Sequence, residues 1–432
     1  MIRAAFIALL ALATPALAEV PIQSVTSKGG ITAWLVEDHE IPFTALEIRF
    51  KGGASLDAPG KRGAINLMTA TLEEGTGDMD SRAFAKASES LAAQFSFDAG
   101  NDSVSISAQM LTENRDEAVA LLRRALIEPS FPQVAVDRVR GQVRSIIQSS
   151  ATDPNEIAGE TFSKMAYGDH PYGTSLNGTL DSIATLTRED LIDAKSRVMA
   201  RDRLYVSAVG DITPEALGVL LDDLLGALPE TGAPMPSEAK LGLTGGVTVV
   251  PYDSPQSVVV FGEQGIAVDD PDFFAAYVAN QILGDGGFSS RLMDEVREKR
   301  GLTYGVASYL VPRDHAAMWQ GSFASSNEKV AEAIDVIRTE WRKMAEGPVT
   351  AKELDEAKTY LTGAYPLRFD GNGTIAGILV GMQMDGYPID YPAGRNAKIE
   401  AVTAQDVARV SKRFLDADAL RFVVVGTPVG LN

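Results

Sequence analysis

Apolar residues alternate with polar ones along 44–51 and 103–110, and a β-branched run fills 257–262, so all three segments are predicted strands. Apolar residues three and four apart predict helices over 62–72, 113–126 and 327–345. The two signals mix without a steady strand–helix–strand rhythm, which favours an α+β sandwich over a doubly wound sheet. Residues 183–210 laid over 399–426, an offset of 216, align Ile183, Thr187, Asp190, Leu204, Val209 and Gly210 with Ile399, Thr403, Asp406, Leu420, Val425 and Gly426. In each copy a threonine (Thr187 or Thr403) is placed to cap a helix that leads into a strand, 204–210 or 420–426. The chain is therefore expected to be an internal duplication. Between the copies, 229–238 holds three prolines and no apolar period, the composition of a linker, and a strand at 246–252 opens the second half. The expected division is a leader at 1–18, a first domain at 19–232, a linker at 233–243 and a second domain at 244–432.

The leader expectation rests on Arg3, the apolar stretch Ala4 to Leu12 and Ala16-Leu17-Ala18 before Glu19, the order of a secretory signal peptide. The stretch is shorter than the roughly 20 residues that span a bilayer, and no later segment is long and apolar enough. The expected location is the periplasm, with no membrane span. Zero cysteines exclude disulfides, thiolate metal sites and a cysteine nucleophile. Without residues 1–18 the chain carries 38 basic and 58 acidic side chains, a formal charge of −20, which argues against nucleic acid as a partner.

The most informative stretch is GGFSSRLMDEVREKRGLTYGV at 286–306. Gly284 to Gly287 turn the chain, Ser289 or Ser290 is placed to cap a helix reaching Arg300, and Gly301 stops it, with Glu295 and Lys299 paired four residues apart. The turn follows a helix and lacks the Lys-Ser/Thr of a phosphate loop. Alone, Arg297 would be a solvated helix arginine and Tyr304 a half-buried strand residue. Together with its surroundings the stretch resembles the substrate-binding signature in the C-terminal half of the pitrilysin/insulinase family of zinc metallopeptidases, the mitochondrial-processing-peptidase-like branch most of all. That resemblance implies two homologous domains, each a mixed sheet backed by helices. It also implies that Arg297 and Tyr304 reach a zinc site in the opposite domain and hold substrate. A guanidinium and a phenol both donate to the oxygen that gains charge as a peptide carbonyl becomes tetrahedral.

Where the family carries its zinc-binding HxxEH helix, this chain reads Asn66-Leu67-Met68-Thr69-Ala70. Asn66, Thr69 and Ala70 replace the two imidazole ligands and the glutamate base between them. The family's third ligand, a glutamate, is expected about eighty residues on, yet residues 138–152 contain no acid. His39, His170 and His315 have no ligand spacing and are expected to be surface or capping residues; Glu73 and Glu74 are expected to be solvated. No cofactor is therefore expected in this chain, and zinc is expected in a partner. The expectation is a non-catalytic, substrate-binding subunit that meets peptides and a homologous HxxEH-bearing chain and is inactive alone. The alternative is a catalytically silent scaffold or peptide-binding protein of the same fold.

Overall fold

A computed structural model describes residues 21–431, so the leader expected at 1–18 lies outside the described residues. The first half builds a six-stranded sheet from β1 (Gln23–Thr26), β2 (Thr32–Glu37), β3 (Phe43–Lys51), β6 (Gln94–Ala99), β7 (Ser103–Leu111) and β8 (Leu204–Gly210). Between them, β4 (Gly75–Thr76) and β5 (Met79–Asp80) form a short separate ladder. The second half builds a five-stranded sheet from β9 (Gly246–Pro251), β10 (Gln256–Gln264), β11 (Val306–Arg313), β12 (Ala316–Ser326) and β13 (Arg421–Gly426). The strand orders are β1-β2-β8-β3-β7-β6 and β9-β13-β10-β12-β11, and apart from the added β1 they coincide strand for strand. Pairings coincide too: β2 with β8 and β9 with β13 are parallel, and the remaining pairs common to the two sheets are antiparallel. The repeat at 216 residues is thus a repeat of topology, down to the capping boxes of Thr187 with Asp190 and Thr403 with Asp406.

Both faces of each sheet are covered. Leu46, Ile48 and Phe50 of β3 enter the first core, and Ala45 of the same strand packs on the opposite face. That opposite face is covered by helix Asn372–Met384 of the second half, whose Ala376, Leu379 and Met382 lie against Val36, Ala45 and Val209. Reciprocally, helix Pro154–Tyr167 of the first half lays Ala158, Phe162 and Ala166 on Val423 and Val425 of the second sheet. Each half lends one helix to the other. The loans are held by polar contacts that reach across: Ser207 Oγ donates to the Ala376 carbonyl at 2.6 Å, and Gln383 Nε2 to Val206 O at 2.8 Å. Residues 231–244 have no regular structure, but Ala239 N donates to His315 O and Gly242 N to Ala166 O, both at 2.8 Å, which ties the crossing to both halves.

Two expected helices come out differently. The one at 62–72 is only Ala64–Thr69, because Gly63 sits at φ 96° and Asp57 accepts from Gly63 N and Ile65 N at 2.8 Å, starting the helix there. Arg62 is drawn away instead to Asp57, Asn101 Oδ1 and Thr174 O. The helix expected to reach Arg300 is a wide turn, described next.

Candidate functional site

The degenerate motif lies on the short helix that Asp57 starts. Asn66 Nδ2 donates to Asn177 Oδ1 at 2.9 Å, and the buried Thr69 hydroxyl donates to Ile65 O at 2.8 Å, one helical turn back. Ala70 closes the helix with a methyl group. The two polar side chains are engaged in hydrogen bonds within the chain, and the positions that match the family's ligands and base offer neither imidazole nor carboxylate. Helix Gln133–Ser150 covers the stretch in which the resemblance implies a third ligand, and it has no acid after Asp137. Among the described residues no group of three or more His, Cys, Asp or Glu is disposed to hold a metal ion. Zinc does not fit these residues. Of the adjacent acids beyond the helix, Glu73 is exposed and Glu74 pairs with Arg138.

The C-terminal signature is built on close packing. Helix Phe273–Asn280 runs into a π-helical turn, Gln281–Asp285, and Asn280 locks it to the sheet: its Oδ1 accepts from Ser308 Oγ at 2.7 Å and Trp319 Nε1 at 2.8 Å. Gly284 presses on β11, where a Cβ would come within 2.3 Å of Ser308 Oγ, so no larger residue fits. Gly287, at φ 54°, reverses the chain, and a second π-helical turn, Met293–Glu298, replaces the α-helix expected there. Its mark is the five-residue bond from Lys299 N to Asp294 O at 2.9 Å. Gly301 at φ 58° ends it, as expected. Glu295 meets Lys299 at 2.6 Å and Arg300 at 2.5 Å, and these two cations pull its carboxyl down to about 2.

This turn sets out the two candidate residues. Thr303 Oγ1 donates to Ala324 O at 2.7 Å and accepts from Gly305 N at 3.1 Å, which pins the chain on either side of Tyr304 and leaves that residue 88 % exposed. Tyr304 is therefore fully presented, not the half-buried strand residue that its position alone suggests. The Arg297 guanidinium stacks over the exposed Phe288 ring at 4.5 Å and donates to Glu298 at 2.8 Å. Phe288 is a member of this exposed cluster that the reading of the sequence did not single out, although it lies within the quoted stretch.

The histidines correct one expectation. His39 is exposed and bonds Asp211, and His170 caps the short helix Pro171–Gly173, both as expected. His315 is neither on the surface nor a cap: it is 9 % exposed, and its ring lies 6.0 Å from that of His170. The two meet where the halves join, around Tyr172, whose hydroxyl donates to Asp102 and accepts from His315 N. Arg313 stacks over the Tyr172 ring at 4.9 Å. Spacing along the chain carried no signal of this meeting, because it is made by packing one half on the other.

Residues 33–180 match the profile described as insulinase (peptidase family M16), and residues 185–361 match the profile described as the peptidase M16 inactive domain. The chain belongs to the insulinase family. Among relatives of the family, the chain is 25 % identical over 390 residues to the non-peptidase homolog YmxG of Helicobacter pylori, covering 90 % of each. It is 23 % identical over 430 residues to the probable mitochondrial-processing peptidase subunit beta of Schizosaccharomyces pombe, covering 95 % of this chain and 92 % of that one. A solved peptidase M16 inactive domain from Pseudomonas fluorescens superposes with a TM-score of 0.88 at 28 % identity, over 95 % of this chain and 99 % of the other. The insulinase fold thus carries, in this member, a motif helix stripped of its ligands and an Arg/Tyr turn with its side chains outward.

Proposed function

We propose that this chain is the non-catalytic, substrate-binding subunit of a two-chain exported zinc peptidase. In this reading it lends Arg297 and Tyr304 to a site whose zinc and general base sit on a homologous HxxEH-bearing partner. The observation that carries the reading is the contrast between the two halves. The polar side chains on the degenerate motif, Asn66 at a ligand position and Thr69 at the base position, are tied into the chain itself, whereas Tyr304 is held out to solvent by a pinned turn. Exposure of a large aromatic ring and an adjacent Phe288–Arg297 stack suits contact with another molecule. Peptides have a docking edge in β6, which ends the first sheet with alternate side chains exposed.

The chain is to be assayed for oligopeptide cleavage alone and mixed with an exported HxxEH-bearing homologue. The expected result is chelator-sensitive hydrolysis by the pair only, lowered about 10²- to 10³-fold in kcat by Arg297→Ala, the loss typical of one oxyanion donor. Robust hydrolysis by the isolated chain overturns the division of labour. An unchanged turnover in the Arg297→Ala pair assigns the chain to scaffolding instead.

A further inference from the structure

The helix lent to the first sheet, Asn372–Met384, buries one side there and turns another toward a cavity of about 410 Å³ on the second half. Gly377 and Gly381 lie on the cavity side, four residues apart, and a Cβ at either would meet nothing within 4 Å. Each glycine inside a helix costs about 1 kcal/mol relative to alanine. No neighbour demands that cost, so what the glycines preserve is open space. Opposite them stand the rings of Phe273, Tyr277, Tyr365 and Tyr391. The volume falls within the range of about 300–1,000 Å³ common to small-molecule sites.

One wall holds a charge that, among the described residues, has no counter-charge. Arg395 is 5 % exposed; Nη1 donates to Leu361 O at 2.6 Å and Asn396 Oδ1 at 3.2 Å, and its guanidinium stacks on Tyr365 at 4.4 Å and Tyr277 at 5.6 Å. None of these partners is a carboxylate, and a buried cation lacking one stands at a cost of several kcal/mol. Beside it, the Tyr365 hydroxyl is buried with no hydrogen-bond partner. Burial pushes that phenol up to about 12, so it stays a neutral donor. The single acid in the lining, Asp385, lies at the far end of the helix, where burial first and then Asp314 raise its carboxyl against the pull of Lys51 and Arg49. Arg368 adds a second guanidinium to the lining, exposed to solvent.

We propose that this cavity binds an organic carboxylate with an aromatic or bulky aliphatic body, the carboxylate meeting Arg395 and Tyr365 and the body lying between the rings and the glycine face. Guanidinium and carboxylate match in geometry and charge. Two sources share this chemistry, the last residue of a peptide and a free small acid. The proposal does not depend on the peptidase reading.

Calorimetric titration of the full chain tests it. N-acetylphenylalanine is expected to bind at least tenfold more tightly than N-acetylphenylalaninamide. Gly381→Leu, which fills the space, is expected to weaken the acid at least tenfold while circular dichroism stays unchanged. Gly377→Ala gives a second, milder plug that raises Tm and still weakens binding. Among acids, tighter binding of a hexapeptide ending in phenylalanine assigns the peptide terminus, and tighter binding of 3-phenylpropionate assigns the free acid. Equal affinity for acid and amide, no binding of any acid by the folded chain, or unchanged affinity in both glycine variants overturns the proposal.

Discussion

Replacing Glu263 with glutamine tests whether a buried carboxyl near the end of β10 makes this fold lose stability as pH rises. Glu263 is 4 % exposed, accepting from Trp341 Nε1 and, at 3.1 Å, from Asp416 N. Burial outweighs these bonds and pushes its carboxyl from 4.5 up to about 8. The sign follows from which state holds the proton. Between those two values the unfolded chain has released it and the folded chain has kept it, so each rise of one pH unit favours unfolding by about 1.4 kcal/mol. Over the whole interval that is about 5 kcal/mol, and relaxation around the ionised group trims it to about 2–5 kcal/mol. Glutamine keeps an oxygen for both donors and never ionises. Urea unfolding of wild type and Glu263→Gln at pH 5, 6, 7 and 8 isolates the effect, since all other titrations cancel in the difference. The variant is expected to gain on wild type steadily from pH 5 to pH 8 and to lead by pH 8. A difference that stays flat with pH, or that shrinks, refutes the reasoning.

Leu379→Ala removes a fully buried side chain between the lent helix and the first sheet; a loss of about 2–5 kcal/mol is expected in urea unfolding, with both halves affected because the helix belongs to one and packs on the other. His170 is held below the ordinary histidine range, by burial first and then by the charge of His315, against the Ser237 carbonyl, Asp102 and Glu238, which raise it. Protonation therefore favours the unfolded chain, and stability is expected to fall as pH drops below 6.5, the ordinary value, with a shallower fall in His170→Gln when thermal midpoints are compared from pH 7 to pH 5. Tyr304→Phe, at 88 % exposure, is expected to leave Tm within 1 °C while lowering turnover by the reconstituted pair.

Much of the architecture was legible because it is written twice. The repeat of Thr187 and Thr403 ahead of β8 and β13 marks the same cap and strand in each half, and short-range chemistry is what a linear reading captures well. The empty zinc motif was legible for the same reason: a methyl at Ala70 has no donor atom in any geometry. Two kinds of feature escaped. The π-helical turns at 281–285 and 293–298 depend on how Gly284 seats against Ser308, a contact between segments that spacing does not encode. The exchange of helices and the meeting of His170 with His315 depend on which half packs on which, and apolar periodicity states only that a face is buried, not by what.

The reciprocal loan of helices bears on how such a molecule could arise. A single ancestral repeat would leave its sheet bare and its own loaned helix unpacked, so it would satisfy both only by trading segments with a twin, as domain-swapped dimers do. Joining the twins head to tail through a tether such as residues 231–244 turns that trade into an intramolecular event at high effective concentration. Fusion then frees the copies to diverge, as the motif helix of one and the Arg297–Tyr304 turn of the other have done.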